Sequence, residues 1–548
     1  MDINKRKASP KSAIGMFFSG VFVLTLANIL VKAVGLVSKI VLNRVVGSVG
    51  AGYYSSAYEI YAYLYVLSTS GLPVALSIMV SKSCAKGRFK EAKKIFDVAF
   101  MVLAIIGFAF SILMITFANQ IAIFIGAEQT TLCIISIAPT MLFICLSSCM
   151  RGYFQGYQLM KPTAISQLIE ACAKVGIGVI FALWAKSKGY PDYTVAAFTI
   201  LGVTVGVLLG MAYLYIKKLI FKEKNYNFEQ ISSIEHEETK TTRQILRELF
   251  LIAIPITLSS SVLSLTTIID TIMVQNRLLA YGMSEISVRV YYGDYTSLVI
   301  SMFNMPTILF YPIANALVPL ISATREKGDK QKSEAIRSLS LRIITLISVP
   351  CAVGLGVFSY PILNLLMFKQ ESVERAAPWL SIAAVSVVFL GIIATTNAFL
   401  NTAGKQRLPI VSMLIGASAK LISNYLLLGK IGIYGAPIST VICYLFAASF
   451  NIYFSVKHVG KLPSIKRIFG LPILSSILSI GLSALLYLIF ITFLPMKIST
   501  IIAITVAVIL YLTISFKIKS IMIDDLKMLP NSEKILNILY KIGIFKNN

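Results

Sequence analysis

Apolar runs of roughly 20 residues recur from one end of this sequence to the other, about fourteen of them, and as helices rising 1.5 Å per residue each can cross a hydrocarbon core about 30 Å thick. The runs begin near residues 14, 54, 95, 131, 162, 194, 246, 296, 337, 378, 408, 433, 468 and 498. With 57% of its 548 residues hydrophobic and 14% charged, the chain carries more apolar surface than a soluble core can hide. The expectation is an all-α polytopic membrane protein with about fourteen transmembrane helices. Lys5, Arg6, Lys7 and Lys11 precede an apolar segment longer than a signal-peptide core, so the first helix is expected to be retained.

The formal net charge of +26 is explained by its distribution. With the N terminus inside, Lys and Arg concentrate in the inner segments and thin out in the short outer loops, which follows the positive-inside rule and places both termini in the cytoplasm. The basic surplus faces anionic membrane lipids, and no nucleic-acid partner is expected. Seven cysteines (84, 133, 145, 149, 172, 351, 443) are scattered without a CxxC pair, and there are two histidines, His236 and His458. That pattern predicts neither a disulfide framework nor a metal site, and no cofactor or catalytic residue is expected.

The polar stretch from Lys217 to Arg247 divides the chain, and two echoes across it suggest a duplication. "SKSCAKGRFKEA" (81–92) pairs with "SATREKGDKQKSEA" (322–335), and "GYFQGYQLMKPTAISQLIEACAK" (152–174) with "AFLNTAGKQRLPIVSMLIGASAK" (398–420), both offset by about 245 residues. Glycine, proline and lysine also crowd cytoplasmic turns for local reasons, and the shared offset is what favours a repeat. Six spans per copy is an even number, so the two lobes would be parallel, related by an axis along the membrane normal. The expected organisation is a cytoplasmic N terminus (1–13), an N-lobe (14–221), a linker (222–245), a C-lobe (246–457), two extra helices (466–517) and a cytoplasmic tail (518–548). The extra helices read as almost purely aliphatic and lipid-facing. In the tail, Ile535, Leu536, Ile538, Leu539 and Ile542 share a face flanked by Lys534 and Lys541, as in a helix lying on the inner membrane surface.

Charges inside the spans mark the candidate site. Lys32 and Lys39 lie two turns apart, on one helix face with Asn28 and Gly35. A lysine in hydrocarbon costs roughly 2.5–3.5 kcal/mol, which argues for a polar cavity; snorkelling to the headgroups is the competing reading, strongest for Lys39 near the outer end. Glu170 and Lys174 stand at i and i+4 with the acid first, the favourable order for a helical ion pair, which serves structure as readily as function. Lys420 is the repeat counterpart of Lys174, with Gly416 where the acid would be, and is the better ligand candidate. Glu59, in "YYSSAYEIYAYLY", is placed to pair with a first-span lysine; Asp270 and Asp294 read as helix-end groups reached by water. A cavity in which Lys32, Lys39, Lys174 and Lys420 match or outnumber Glu59 and Glu170 prefers an anion, and a pyrophosphate offers several acceptor oxygens to such point charges.

The stretches "KAVGLVSKIVLNRVVGSVGAGYYSSAYEIYAYLYVLSTSGLPVALSIMVSK" (32–82), "RGYFQGYQLMKPTAISQLIE" (151–170) and "YPIANALVPLISATREKGD" (311–329) resemble the stage V sporulation protein B-like branch of the lipid II flippases. That branch falls within the multidrug/oligosaccharidyl-lipid/polysaccharide exporter superfamily. The resemblance implies two six-helix lobes, a V-shaped cavity, export of an undecaprenyl-diphosphate-linked saccharide, and a groove for the polyprenyl tail formed by the extra helices. Arginines expected in the first helix are matched only approximately by Lys32 and Lys39. After "YYGD" an arginine is expected where Tyr295 stands, with Arg289 upstream as a substitute. The resulting expectation is a non-enzymatic flippase working by alternating access. Its cargo would be a lipid-linked oligosaccharide diphosphate, and cell-wall synthesis enzymes are further candidate partners. A multidrug exporter of the same superfamily is the alternative, and would want unpaired carboxylates for cationic cargo. An integral-membrane glycosyltransferase ranks third, because the short outer loops lack clusters of acid and base groups.

Overall fold

The computed structural model describes residues 10–221, 240–310, 330–366, 369–460, 466–518 and 520. Most of the expected linker, the expected tail beyond Ser520 and the stretch 311–329 lie outside the described residues. Among the described residues there is no strand, and the chain divides into two compact units, Met1–Gly293 and Asp294–Asn548. Eleven described segments are long and apolar enough to cross a membrane, and two of them, of 53 and 52 residues, far exceed the roughly 20 that one crossing needs. The expected number of fourteen is not fixed by that count.

The first unit contains α1 (Pro10–Thr69), α2 (Leu72–Ala85), α3 (Phe89–Thr116), α4 (Ala118–Phe124), α5 (Thr131–Ile137), α6 (Thr140–Gly156), α7 (Met160–Ser187), α8 (Asp192–Ile220), α9 (Thr242–Ala280) and most of α10 (Glu285–Asp294). α1 is continuous in sequence and interrupted in geometry: Gly47 has φ 78 and ψ 175, a conformation that residues with a Cβ avoid. α9 starts with a capping box between Thr241 and Gln244 and runs as far as Ala280.

α7 and α8 pack backbone to backbone. Gly202, Gly206 and Gly210 recur every four residues on α8 and present one side-chain-free face. A Cβ on Gly202 would stand 2.5 Å from Gly178, and one on Gly206 would stand 2.9 Å from the Glu170 carbonyl oxygen and the Lys174 nitrogen. This close approach fixes the height of Glu170 and Lys174 against α8.

In the second unit Arg407–Ile431 and Gly435–His458 pack similarly, with a Cβ on Gly416 falling 2.6 Å from the Cys443 carbonyl. The terminal hairpin, Leu471–Phe493 and Met496–Lys517, is more amphipathic than its sequence suggests. Leu485, Leu488, Ile501 and Val508 point outward, whereas Ser475, Ser476, Ser479, Ser483, Ser499 and Thr500 are fully buried. Small hydroxyl residues allow close packing, and all of these but Ser475 donate to nearby carbonyls, as Ser483 does to Ala503 at 2.6 Å. Tyr511 ties the hairpin to the rest of the unit by donating to the Leu346 carbonyl at 2.8 Å.

Candidate anion site

Lys39 and Tyr58 are nineteen residues apart on α1, a separation of about 28 Å along a straight helix. The Lys39 ammonium nevertheless stands 5.7 Å from the centre of the Tyr58 ring. The bend at Gly47 brings the two halves of α1 together, so a basic residue of the first half meets the tyrosine-rich second half.

Lys174 reaches the same ring from α7. Its ammonium donates to the Tyr58 hydroxyl at 3.0 Å and lies 4.2 Å from the ring centre. Glu59, next along α1, interacts electrostatically with both Lys39 and Lys174. A small crevice lined by Ser38, Leu42, Tyr54, Lys174, Val175 and Thr199 opens beside them. Two ammonium groups thus converge on one partly exposed phenol, with Glu59 interacting with both, Asp270 interacting with Glu59, and Glu170 within electrostatic reach of Lys174. Such a group can hold an anion with several acceptor oxygens.

The expected Glu170–Lys174 ion pair does not form. Glu170 accepts from the Arg151 guanidinium at 2.8 Å, and the Nε of Arg151 donates to Ser166 at 3.0 Å. The helical spacing was favourable, but the planar guanidinium from α6 offers Glu170 a better partner and leaves Lys174 to Tyr58. Sequence reading did not single out Arg151, although it is the lone charge of α6 and 7% exposed.

The readings of Asp270 and Asp294 as water-reached helix ends are corrected as well. Asp270 is 5% exposed, because α9 continues for ten more residues, and it shares that helix with buried Thr266, Thr271 and Gln275. Gln275 accepts from Ser56 of α1 at 3.1 Å. Asp294 is fully buried and bound by Arg375 at 2.8 Å within the second unit.

The structure does not bring the other basic candidates into the Tyr58 cluster within the first unit. Arg289 is 1% exposed, donates to the Gly126 carbonyl and stands 5.9 Å from the Tyr53 ring, making these contacts rather than any with the lysines. Lys420 is buried in the second unit, four residues after Gly416. The side chain of Lys32 lies outside the described residues. Asn43, one turn beyond Lys39 and fully buried, has no hydrogen-bond partner for its amide among the described residues. Among the described residues no cluster of His, Cys, Asp and Glu can hold a metal ion.

The pattern of the family described as "Polysaccharide biosynthesis protein" matches residues 17–325. The chain belongs to that family. Residues 255–426 also match the MatE family, in keeping with a transporter of the multidrug/oligosaccharidyl-lipid/polysaccharide exporter superfamily. It is similar to stage V sporulation protein B of Bacillus subtilis (strain 168), 27% identical over 435 residues that cover 78% of this chain and 80% of the relative. It is also similar to the lipid II flippase MurJ of the same organism, 24% identical over 477 residues covering 84% and 87%. Among solved structures, an inward closed conformation of lipid II flippase MurJ shares the fold with TM-score 0.65 and 17% identity, covering 90% of this chain and 98% of that one. An inward-facing multidrug resistance MATE transporter does so with TM-score 0.63 and 14% identity, covering 78% and 94%. This member of the family is therefore a multi-pass membrane transporter.

Proposed function

We propose that this transporter moves an undecaprenyl-diphosphate-linked saccharide, lipid II or a related polysaccharide precursor, from the inner to the outer leaflet by alternating access. The observation that carries this reading is the convergence of Lys39 and Lys174 on Tyr58. Before cargo arrives Glu59 balances the two ammonium groups while Tyr58 orients Lys174, and an incoming diphosphate takes the place of Glu59 with a larger number of charged acceptor oxygens. Lys32 and Lys420 are kept as further candidate anion ligands, and Glu59 competes for Lys39 and Lys174 once the cargo leaves. The saccharide crosses through the protein while its polyprenyl tail stays in lipid, so no bond is made or broken and no catalytic group is needed. Both termini are assigned to the cytoplasm, and cell-wall synthesis enzymes act on either side of the step.

The MatE match supports a second reading, export of a cationic drug. That cargo would require an available carboxylate, whereas Glu170 is held by Arg151 and Glu59 interacts electrostatically with two lysines. Mass spectrometry of lipids extracted from the purified protein separates the two. The proposal expects a co-purified polyprenyl diphosphate saccharide, depleted in Lys174→Gln; absence of any diphosphate lipid together with saturable binding of a cationic drug would overturn it.

A further inference from the structure

The second half of α1 carries tyrosines at 53, 54, 58, 61, 63 and 65, more phenols than an anion site needs. Tyr54, Tyr58, Tyr61 and Tyr65 follow the spacing i, i+4, i+7, i+11 and so share one face. Their rings form a ladder, with successive centroids 5.8, 5.8 and 6.1 Å apart. From first to last the ladder rises about 16 Å.

We propose that this tyrosine face is the wall against which the saccharide of the cargo lies, an inference that rests on reading the neighbouring lysines as the diphosphate site. Tyr54 and Tyr61 are 4% and 5% exposed and back the ladder into the core, whereas Tyr58 and Tyr65 keep part of their surface open. A ladder that served packing alone would have no use for hydroxyls, each of which costs about 1–3 kcal/mol when buried without a partner. This one runs between charged groups: Lys39 and Lys174 meet it at Tyr58, and Arg151 and Glu170 interact electrostatically with Tyr65.

Sugar chemistry matches each part of that arrangement. One face of a pyranose ring presents C–H groups whose positive edge suits the negative face of an aromatic ring. The hydroxyls around its rim need both donors and acceptors, which the Tyr65 hydroxyl and the partly exposed Glu170 carboxylate, held in place by Arg151, supply. The first sugar of a lipid-linked saccharide is bonded directly to the diphosphate. Phosphates held by Lys174 at Tyr58 therefore leave that sugar beside the next rings of the ladder, and the Arg151–Glu170 pair stands at the far end. Tyr58 belongs to both sites; Tyr65 belongs to the saccharide alone.

The test uses the full chain in lipid nanodiscs, titrated in native mass spectrometry with undecaprenyl diphosphate and with undecaprenyl diphosphate bearing a disaccharide. Wild type is expected to prefer the disaccharide form by roughly three- to tenfold, the size of one ring-stacking contact. Tyr65→Leu should abolish the preference while retaining affinity for the sugar-free lipid, and Tyr65→Phe should keep most of it. If Tyr65→Leu does not fold, Tyr65→Met serves the same purpose. Equal affinity of wild type for the two lipids, or a preference that survives loss of the ring, overturns the inference and leaves the diphosphate site standing. Failure of wild type to bind either lipid in a Lys174-dependent way overturns the diphosphate reading, and this inference with it.

Discussion

Lys174 is bound to Tyr58 twice, by a 3.0 Å hydrogen bond to the hydroxyl and by an ammonium-to-ring contact of 4.2 Å. Two contacts with one side chain orient a flexible lysine that would otherwise sample many rotamers, and ordering such a side chain costs up to about 2 kcal/mol. Tyr58 therefore holds Lys174 ready where Lys39 can join it.

Substitutions at Tyr58 should separate the two contacts. Tyr58→Phe keeps the ring and is expected to bind undecaprenyl diphosphate within about fivefold of wild type, since the hydroxyl acts on the cargo only by orienting Lys174, an effect of roughly 1 kcal/mol. Tyr58→Leu removes both contacts and should weaken binding by about tenfold or more. Titration of the purified variants reads both outcomes; equal affinity of Tyr58→Leu and wild type would remove Tyr58 from the site.

Gly206 places the site through the helix packing beneath it. A Cβ there would lie 2.9 Å from backbone atoms of both Glu170 and Lys174. Gly206→Ala must push α8 from α7, at a cost of about 1–3 kcal/mol. Thermal unfolding in detergent should show a clear drop for Gly206→Ala, and none for Gly176→Ala, whose Cβ would meet nothing within 4 Å.

Arg151 and Glu170 form an ion pair in which the arginine side chain is 9% exposed and the glutamate 25%. Removing the carboxylate leaves a nearly buried guanidinium without its charge partner. Glu170→Gln should therefore destabilise the protein by about 1–3 kcal/mol, less than for a fully buried pair because water reaches the acid. The double variant Arg151→Met, Glu170→Met should recover part of that loss. A double variant less stable than either single one would contradict this view of the pair.

Much of this was legible in the sequence, because burial in lipid imposes simple rules. Apolar run length announced an all-helical membrane protein, and the cost of a charge in hydrocarbon singled out Lys39, Glu59 and Lys174, which the fold brings to one place. The partners were harder to read. Arg151 and Glu170 are nineteen residues apart on consecutive helices, and no helical spacing connects them. The Lys39–Tyr58 approach depends on one glycine dihedral, and Asp270 was misplaced because α9 outlasts its apolar run. The buried serines of the terminal hairpin were hidden among leucines and isoleucines, since composition does not reveal which face turns inward.

Topology can be checked on a cysteine-free background with single cysteines at exposed positions. Glu128→Cys and Lys430→Cys should react with an impermeant maleimide from outside, and Lys405→Cys only after permeabilisation, as the positive-inside rule requires. External labelling of Lys405→Cys would reverse the assigned orientation.

The most direct test of the anion site is the rate at which reconstituted protein flips a fluorescent undecaprenyl-diphosphate saccharide across vesicle membranes. A charge-assisted contact is worth roughly 1.5–3 kcal/mol, so Lys174→Gln should slow flipping by about tenfold or more at equal folded protein, while Lys174→Arg keeps part of the rate. Lys39→Gln should behave as Lys174→Gln does. Flipping at the wild-type rate by the double variant Lys39→Gln, Lys174→Gln would contradict the account.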